Sequence, residues 1–331
     1  MSETFQALLV EQPEPKRFTR SIVTRTLADL PAGDLVVRVH WSSLNYKDAL
    51  SATGHPGVTR NFPHTPGIDA AGEVISDASG RFRPGDRVIV TGFDLGMETD
   101  GGYGQLIRIP ADWALPLPEG LSLRDAMIIG TAGFTAALSV HALVGRSITP
   151  AAGEILVTGA TGGVGSVAVA LLAHLGYRVV AATGKPETAE FLSELGAALV
   201  IPRQEVTVNV ERPMLKERWA GVVDCVGGET LAAAIKATRY GGSVTCCGLV
   251  GSPELNVNVY PFILRGVSLL GIDSVQCPQA LRATVWQQLA GPWRLPALHR
   301  LAQETDLHGL EGRIAAILQG AVQGRTVVTL T

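Results

Sequence analysis

The stretch VTGATGGVGSVAVALLAHLG, Val157 to Gly176, packs five glycines around small and aliphatic residues. Glycine weakens regular structure unless the backbone must turn sharply or approach another object closely. A glycine turn that opens a helix aims free N–H groups and the positive end of the helix dipole at one spot, which suits a phosphate. Gly159, Gly162 and Gly165 read G-x-x-G-x-x-G, a departure from the commoner G-x-G-x-x-G, and Thr161, Gly163, Val164 and Ser166 complete the loop and first helical turn. At the end of the next apolar run, about 20 residues on, a dinucleotide fold that takes NAD carries an acid for the ribose 2′-hydroxyl. Here the residues are Thr183-Gly184-Lys185, and Arg203 follows the run after that. A hydroxyl and two cations suit a 2′-phosphate, so the pattern predicts NADPH. The plainer reading makes Lys185 and Arg203 solvated surface residues.

These residues need elements to hold them. EILVTG, ending at Gly159, predicts a strand, and in the helix after it Val164, Val167, Ala168, Leu171, Leu172 and Leu175 fall on one stripe, with Gly176 as its stop. YRVVAAT is a second strand, PETAEFLSELG a helix and AALVI a third strand; GVVDCV, GSVTCCG and VSLLGID supply three more. Six strands with short helices between them predict a doubly wound parallel α/β sheet of the Rossmann type. From about Gly33 to Pro118, short β-branched runs such as LVVRVHW and DRVIV alternate with Gly, Pro and Asp turns, which predicts a β-rich first domain. The expected boundaries are 1–123, 124–280 and a segment 281–331 that returns to the first domain through RTVVTL.

Composition narrows the class. Across 331 residues, 27 Lys and Arg face 30 Asp and Glu without a long charged block, which argues against a nucleic-acid surface or a polybasic membrane patch. Cys225, Cys246, Cys247 and Cys277 lack C-x-x-C spacing, so reduced thiols in a cytoplasmic protein are expected. The start, MSETFQALLVEQPEPKR, does not resemble a secretory signal. The apolar run Ile128 to Gly145 is broken by glycines, hydroxyls and His141, which favours a soluble protein.

SSLNYKDAL (Ser42–Leu50), TPGIDAAGEV (Thr65–Val74) and RPGDRVIV (Arg83–Val90) resemble the GroES-like amino-terminal domain of the medium-chain dehydrogenase/reductase superfamily. Its zinc-dependent members carry a Cys near Ser42 or Ser43 and Gly-His-Glu where this chain has Gly67-Ile68-Asp69. With no cysteine in the first domain, no metal is expected. The ordered set SSLNYKDAL, RNFPHTPGIDAAG, GTAGFTAAL, VTGATGGVGS, PFILRGVSLLGIDS and QGRTVV is similar to the acryloyl-CoA reductase (NADPH) family across the whole chain. Thr183-Gly184-Lys185 stands where relatives often have Ser-Gly-Arg, and the loop Gly92 to Gly102 differs, so substrate-side details are not carried over.

The resemblance implies reduction of the α,β double bond of a short enoyl-CoA, acryloyl-CoA to propanoyl-CoA, by a cytoplasmic homodimer joined at sheet edges. It places the nicotinamide and the acyl group by Asn45, Tyr46 and Asp48, and implies cofactor contacts from Tyr46, Leu249, Ile272, Ser274 and Arg325. Hydride addition puts negative charge on the thioester oxygen, which a preorganised donor stabilises. Asn45 can donate its amide N–H, Tyr46 can stack or hydrogen-bond, and Asp69 can join a polar relay. Asp48 is equally readable as a helix cap and Asp69 as an acceptor for buried backbone donors. A quinone or enone reductase, or a non-catalytic NADPH-binding protein, stays open as an alternative.

Overall fold

The computed structural model describes residues 4–331. The six predicted strands form one parallel sheet in the spatial order Leu199–Pro202, Arg178–Thr183, Glu154–Val157, Trp219–Asp224, Thr238–Cys246, Ser268–Gly271. Their residues are continuous apolar runs because both faces are covered: Ile155, Leu156, Val157, Val179, Val180, Val222, Val223 and Val244 are fully buried. The strand order reverses between Glu154–Val157 and Trp219–Asp224, and a doubly wound sheet opens its ligand crevice at such a reversal. The helix Gly163–His174 buries Val167, Ala168, Leu171 and Leu172, half-buries Val164 and Leu175, and is followed by Gly176 at φ 83°.

The β-rich part is a seven-stranded sheet. Leu35–Leu44 pairs antiparallel with Asp69–Asp77, Leu106–Ile109 and Arg325–Thr329, so the RTVVTL tail does enter this sheet. Leu35, Val37, Val39, Val88, Ile107, Ile109 and Val328 close one core, and burying each such side chain contributes about 1.5–3 kcal/mol. A hairpin ahead of it, Thr4–Glu14 against Arg17–Thr26, lies where no strand is expected from the sequence reading. Its alternation is short: Thr4 and Gln6 are exposed and Phe5 and Ala7 buried, but Leu8 is buried as well and the period is lost.

The chain divides into two units, one running up to Thr131 and taking back Val275–Ala283 and Ala297–Thr331, the other comprising Ala132–Ser274 and Thr284–Pro296. These limits differ from the expected 123/124 and 280/281, for local reasons. Thr131 is held in the first unit by Asp69, which accepts its N–H and its hydroxyl, and Arg325 donates to the Ile128 carbonyl just before it. Val275 accepts hydrogen bonds from the Phe93 N–H and the Arg282 guanidinium. Part of the expected tail domain belongs instead to the second unit, where Trp286 stacks on Phe134 at 6.0 Å and Trp293 meets His141 edge-on at 6.3 Å. The helix Leu123–Gly145 is long and apolar enough to cross a membrane, but 78% of its apolar window is buried inside the protein, as in a core helix.

Candidate active site

In the second unit the glycine loop is a close-contact device. Gly159 has φ 58°, the Gly162 N–H bonds to the Gly159 carbonyl at 3.0 Å, and the helix starts at Gly163. A Cβ on Gly165 would lie 2.3 Å from the Gly159 carbonyl oxygen, so only glycine fits there, whereas one on Gly162 would make ordinary contact at 3.4 Å. The first and third glycines of the pattern are therefore sterically required. An α-helix leaves the N–H groups of its first turn without intrahelical partners, and here that turn is Gly163, Val164 and Gly165. Thr161 is 7% exposed. Ser166 is fully buried and its hydroxyl is turned onto the Gly163 carbonyl, so its side chain is spent inside the helix.

Strand register brings the cations together. Thr183 pairs with Pro202, which sets Arg203 beside Gly184. The Arg203 side chain passes 3.0–3.3 Å from where a Gly184 Cβ would stand. The Thr183 hydroxyl accepts the Lys185 N–H at 3.0 Å, while Gly184 and Arg203 are exposed and Lys185 half-buried. Leu249 and Ile272 line a cavity of about 590 Å³ with Gly227, Cys246, Cys247 and Gly248 at the carboxyl ends of the strands. Ser274 lies two residues beyond Ile272 and is half-buried. Asp224, fully buried at the end of its strand, accepts the Thr158 hydroxyl at 2.7 Å and the Gly227 N–H at 2.8 Å, fastening the residue before Gly159 to the next turn. Burial pushes the Asp224 carboxyl up, against those hydrogen bonds.

The first unit holds a buried polar cluster. Asn45 precedes the helix Tyr46–Ala52, and its N–H is accepted by Asp48 at 2.7 Å; the other Asp48 oxygen accepts the Ile68 N–H at 2.8 Å. Asp48 thus caps the helix and ties it to the Gly67–Asp69 turn. Asp69 accepts Ser43 Oγ at 2.6 Å, Asn45 Nδ2 at 2.8 Å, and Thr131 through both its N–H (2.9 Å) and its hydroxyl (2.6 Å). Arg325 donates to the Ile128 and Leu44 carbonyls, Asn45 Oδ1 and Ser43 Oγ, and stands 4.0 Å from Asp69.

Two expectations change here. The Asn45 amide N–H groups, expected to face the substrate, are given to Asp69 and Asp48. The Arg325 side chain, expected at the cofactor, is 2% exposed and serves as a buried cation beside Asp69. Burial lowers its basicity and the two carboxylates restore part of it. Tyr46, by contrast, is 44% exposed.

Ser43, Gly130, Thr131 and Tyr103 belong to this cluster and escaped the sequence reading. A Cβ on Gly130 would come within 2.6–2.7 Å of Asp69 Oδ2, Arg325 Nη2 and Ser43 Oγ, and Gly130 breaks the long helix with φ 51° and ψ −162°. Glycine inside an apolar helical run was the available signal.

Asp48 carries a pH consequence. Burial, and then the neighbouring Asp69, raise its pKa from 3.8 to about 7 against three hydrogen bonds. The unfolded chain releases this proton near pH 4 and the folded chain holds it to near neutrality. Stability from Asp48 is therefore full below the unfolded value and is lost as pH rises through the folded one, a span worth roughly 3–5 kcal/mol. Denaturant unfolding between those limits should show a slope that Asp48→Asn removes; an unchanged slope would mean that Asp48 is ionised throughout.

Residues 163–290 match the zinc-binding dehydrogenase family and residues 31–119 the alcohol dehydrogenase GroES-like domain. A parallel nucleotide-type sheet joined in one chain to a GroES-like sheet defines a medium-chain dehydrogenase/reductase. Acrylyl-CoA reductase AcuI of Ruegeria pomeroyi is 48% identical over 325 residues, 98% of each chain. The crystal structure of YhdH from Escherichia coli K-12 with bound NADPH superposes with a TM-score of 0.95 at 47% identity, over 98% of this chain and all of that one. YhfP of Bacillus subtilis, solved with NAD bound, gives 0.97 at 45% identity over 99% of this chain and all of its own, and carries the name of a quinone oxidoreductase. The chain belongs to the acrylyl-CoA reductase family of medium-chain dehydrogenases/reductases.

Zinc does not fit these residues. Among the described residues no group of three or more His, Cys, Asp or Glu could hold a metal ion. Ser42 Oγ donates to the Asp69 carbonyl, and both Asp69 carboxylate oxygens are already committed to hydrogen bonds.

Proposed function

We propose that this chain uses NADPH to reduce the α,β double bond of a short enoyl-CoA, acryloyl-CoA to propanoyl-CoA. The observation that carries this reading is the 48% identity to an acrylyl-CoA reductase along both whole chains. The crowded glycine loop and the Thr183–Lys185–Arg203 corner agree with it. When bound, the cofactor supplies the hydride. The protein's own work is to hold the pyrophosphate on the first-turn N–H groups of Gly163–Gly165, to read the 2′-phosphate with Lys185, Arg203 and the Thr183 hydroxyl, and to line the cofactor with Leu249 and Ile272. Tyr46, the exposed member of its cluster, faces the acyl group. Asn45 acts behind it, fixing the backbone from which Tyr46 projects, with Asp48, Asp69 and Arg325 as its supports. Negative charge on the thioester oxygen then needs a donor, and the Tyr46 hydroxyl is the one presented.

Changing Lys185 or Arg203 to Ala should raise KM for NADPH by an amount equivalent to about 1–2 kcal/mol, a charge-assisted contact discounted for exposure, with NADH use little altered. Equal losses with both cofactors would assign these side chains to the fold instead.

A second reading, quinone or enone reduction, is favoured by the 46% identity to YhfP along both chains. Steady-state rates with acryloyl-CoA, crotonoyl-CoA, free acrylate and a quinone, each with NADPH and NADH, separate the two, and binding without turnover on any of them would leave a non-catalytic NADPH-binding protein. The expected result is acryloyl-CoA with NADPH foremost, unchanged by a chelator. We further propose a cytoplasmic homodimer: Ser268–Gly271 is an edge strand, and Val259, Ile263 and Leu264 beside it are each at least 60% exposed. Light scattering at the monomer mass would refute it.

A further inference from the structure

We propose that Cys225 and Cys247 form a dithiol which a small-molecule disulfide oxidises to an intramolecular cross-link, and that this modification closes the cofactor crevice of the second unit. The strands Trp219–Asp224 and Thr238–Cys246 are adjacent and parallel, with Asp224 paired to Cys246. The next residue on each, Cys225 and Cys247, therefore stand opposite one another. Neighbouring strands lie about 4.7–4.9 Å apart, inside the roughly 4.4–6.8 Å span of Cα positions that a disulfide joins. The two sulfurs are 3.9 Å apart, with the Cys247 thiol also directed at the Asp224 carbonyl at 3.2 Å. Both residues are half-buried, and Cys247 lines the 590 Å³ cavity with Leu249 and Ile272.

The cross-link would act on the cofactor because Cys247 is part of the cavity wall. A disulfide needs the sulfurs about 2.05 Å apart, so they must close by nearly 2 Å. Gly248 is already against the Cys225 backbone: a Cβ there would lie 2.1 Å from the Cys225 carbonyl oxygen. The Cys225 N–H bonds to Thr158 Oγ at 3.0 Å, and Thr158 directly precedes Gly159 of the phosphate loop. Turning the Cys247 side chain onto Cys225 reshapes that wall and ties it to the strand end that anchors the loop.

In the exchange, the Cys247 thiolate, its proton released to solvent, attacks one sulfur of oxidised glutathione and expels glutathione thiolate, which takes up a proton. The Cys225 thiolate then attacks Cys247 Sγ and expels the second glutathione. Two cysteine thiols are oxidised and one glutathione disulfide is reduced to two thiols. Hydrogen bonding from Cys247, burial and Asp224 hold the Cys225 thiol well above its ordinary range, so the exchange is slow at neutral pH and quickens in alkali.

The loss of affinity rests on the NADPH reading above; the cross-link does not. The test treats the whole protein with oxidised glutathione at about pH 7 and about pH 9 and maps disulfides by mass spectrometry without reduction. NADPH affinity is then measured by fluorescence. A Cys225–Cys247 peptide forming faster at the higher pH is expected, with NADPH binding weakened about ten-fold or more and restored by a dithiol reductant. Cys225→Ser, which is not part of the cavity lining, should bind NADPH normally and resist the treatment; Cys247→Ser should form no cross-link, while Cys246→Ser should form it as the parent does. Absence of that peptide, or its formation with unchanged NADPH affinity, overturns the proposal. Untreated protein that binds no NADPH sinks the cofactor reading and the occlusion with it, whatever the peptide map shows.

Discussion

Asp69→Ala should cost about 3–5 kcal/mol of stability, the penalty for removing one partner of a buried ion pair. Asp69 is fully buried and accepts four hydrogen bonds, from Ser43, Asn45 and twice from Thr131. Without it those donors are unsatisfied, and the Arg325 guanidinium, 2% exposed, loses its nearer compensation. Denaturant unfolding measures the loss. Adding Arg325→Met should return part of it, because deleting both charges removes the unpaired ion that makes the single change costly. Full stability of the single variant would mean that Asp48 alone compensates Arg325.

Asn45→Ala should lower kcat on acryloyl-CoA by about 100-fold with little change in KM for NADPH, the size expected when a reacting group is displaced by about 1 Å. The Asn45 side chain bridges Asp69 and Asp48 through Nδ2 and Arg325 through Oδ1, immediately before the helix that presents Tyr46. Removing it loosens the residue on which Tyr46 depends without touching the phosphate loop. Tyr46→Phe should fall to a comparable degree if its hydroxyl donates to the thioester oxygen and much less if the ring only packs. The control is NADPH binding by each purified variant. A folded Asn45→Ala enzyme that turns over like the parent would remove the cluster from catalysis and leave it a purely architectural knot.

The nucleotide-type sheet was written in the sequence because its determinants are local. A buried parallel strand must be an uninterrupted apolar run, as ILV and VVAA are. A helix against it must carry a 3.6-residue stripe, as Val167 to Leu172 do, and a loop that doubles back on itself must be glycine where Gly165 meets Gly159. The place of Thr183–Lys185 at the carboxyl end of the second strand was legible for the same reason, since it sits at a set distance along the chain from that loop.

The buried cluster was not legible in its wiring, because its members are far apart in sequence and become neighbours only through antiparallel pairing of Leu35–Leu44 with Asp69–Asp77 and Arg325–Thr329. The family resemblance suggested that Asn45 faces substrate and Arg325 cofactor. Burial decided otherwise. A carboxylate and a guanidinium taken out of water must be hydrogen-bonded to persist. Tertiary structure meets that demand with the Asn45 amide, with Ser43 and with the Thr131 N–H freed by the helix break at Gly130. The sequence by itself determined which sheet would form and which cofactor its corner suits; folding alone decided which polar groups remain to meet a substrate, because only three-dimensional packing determines which of them it has already used.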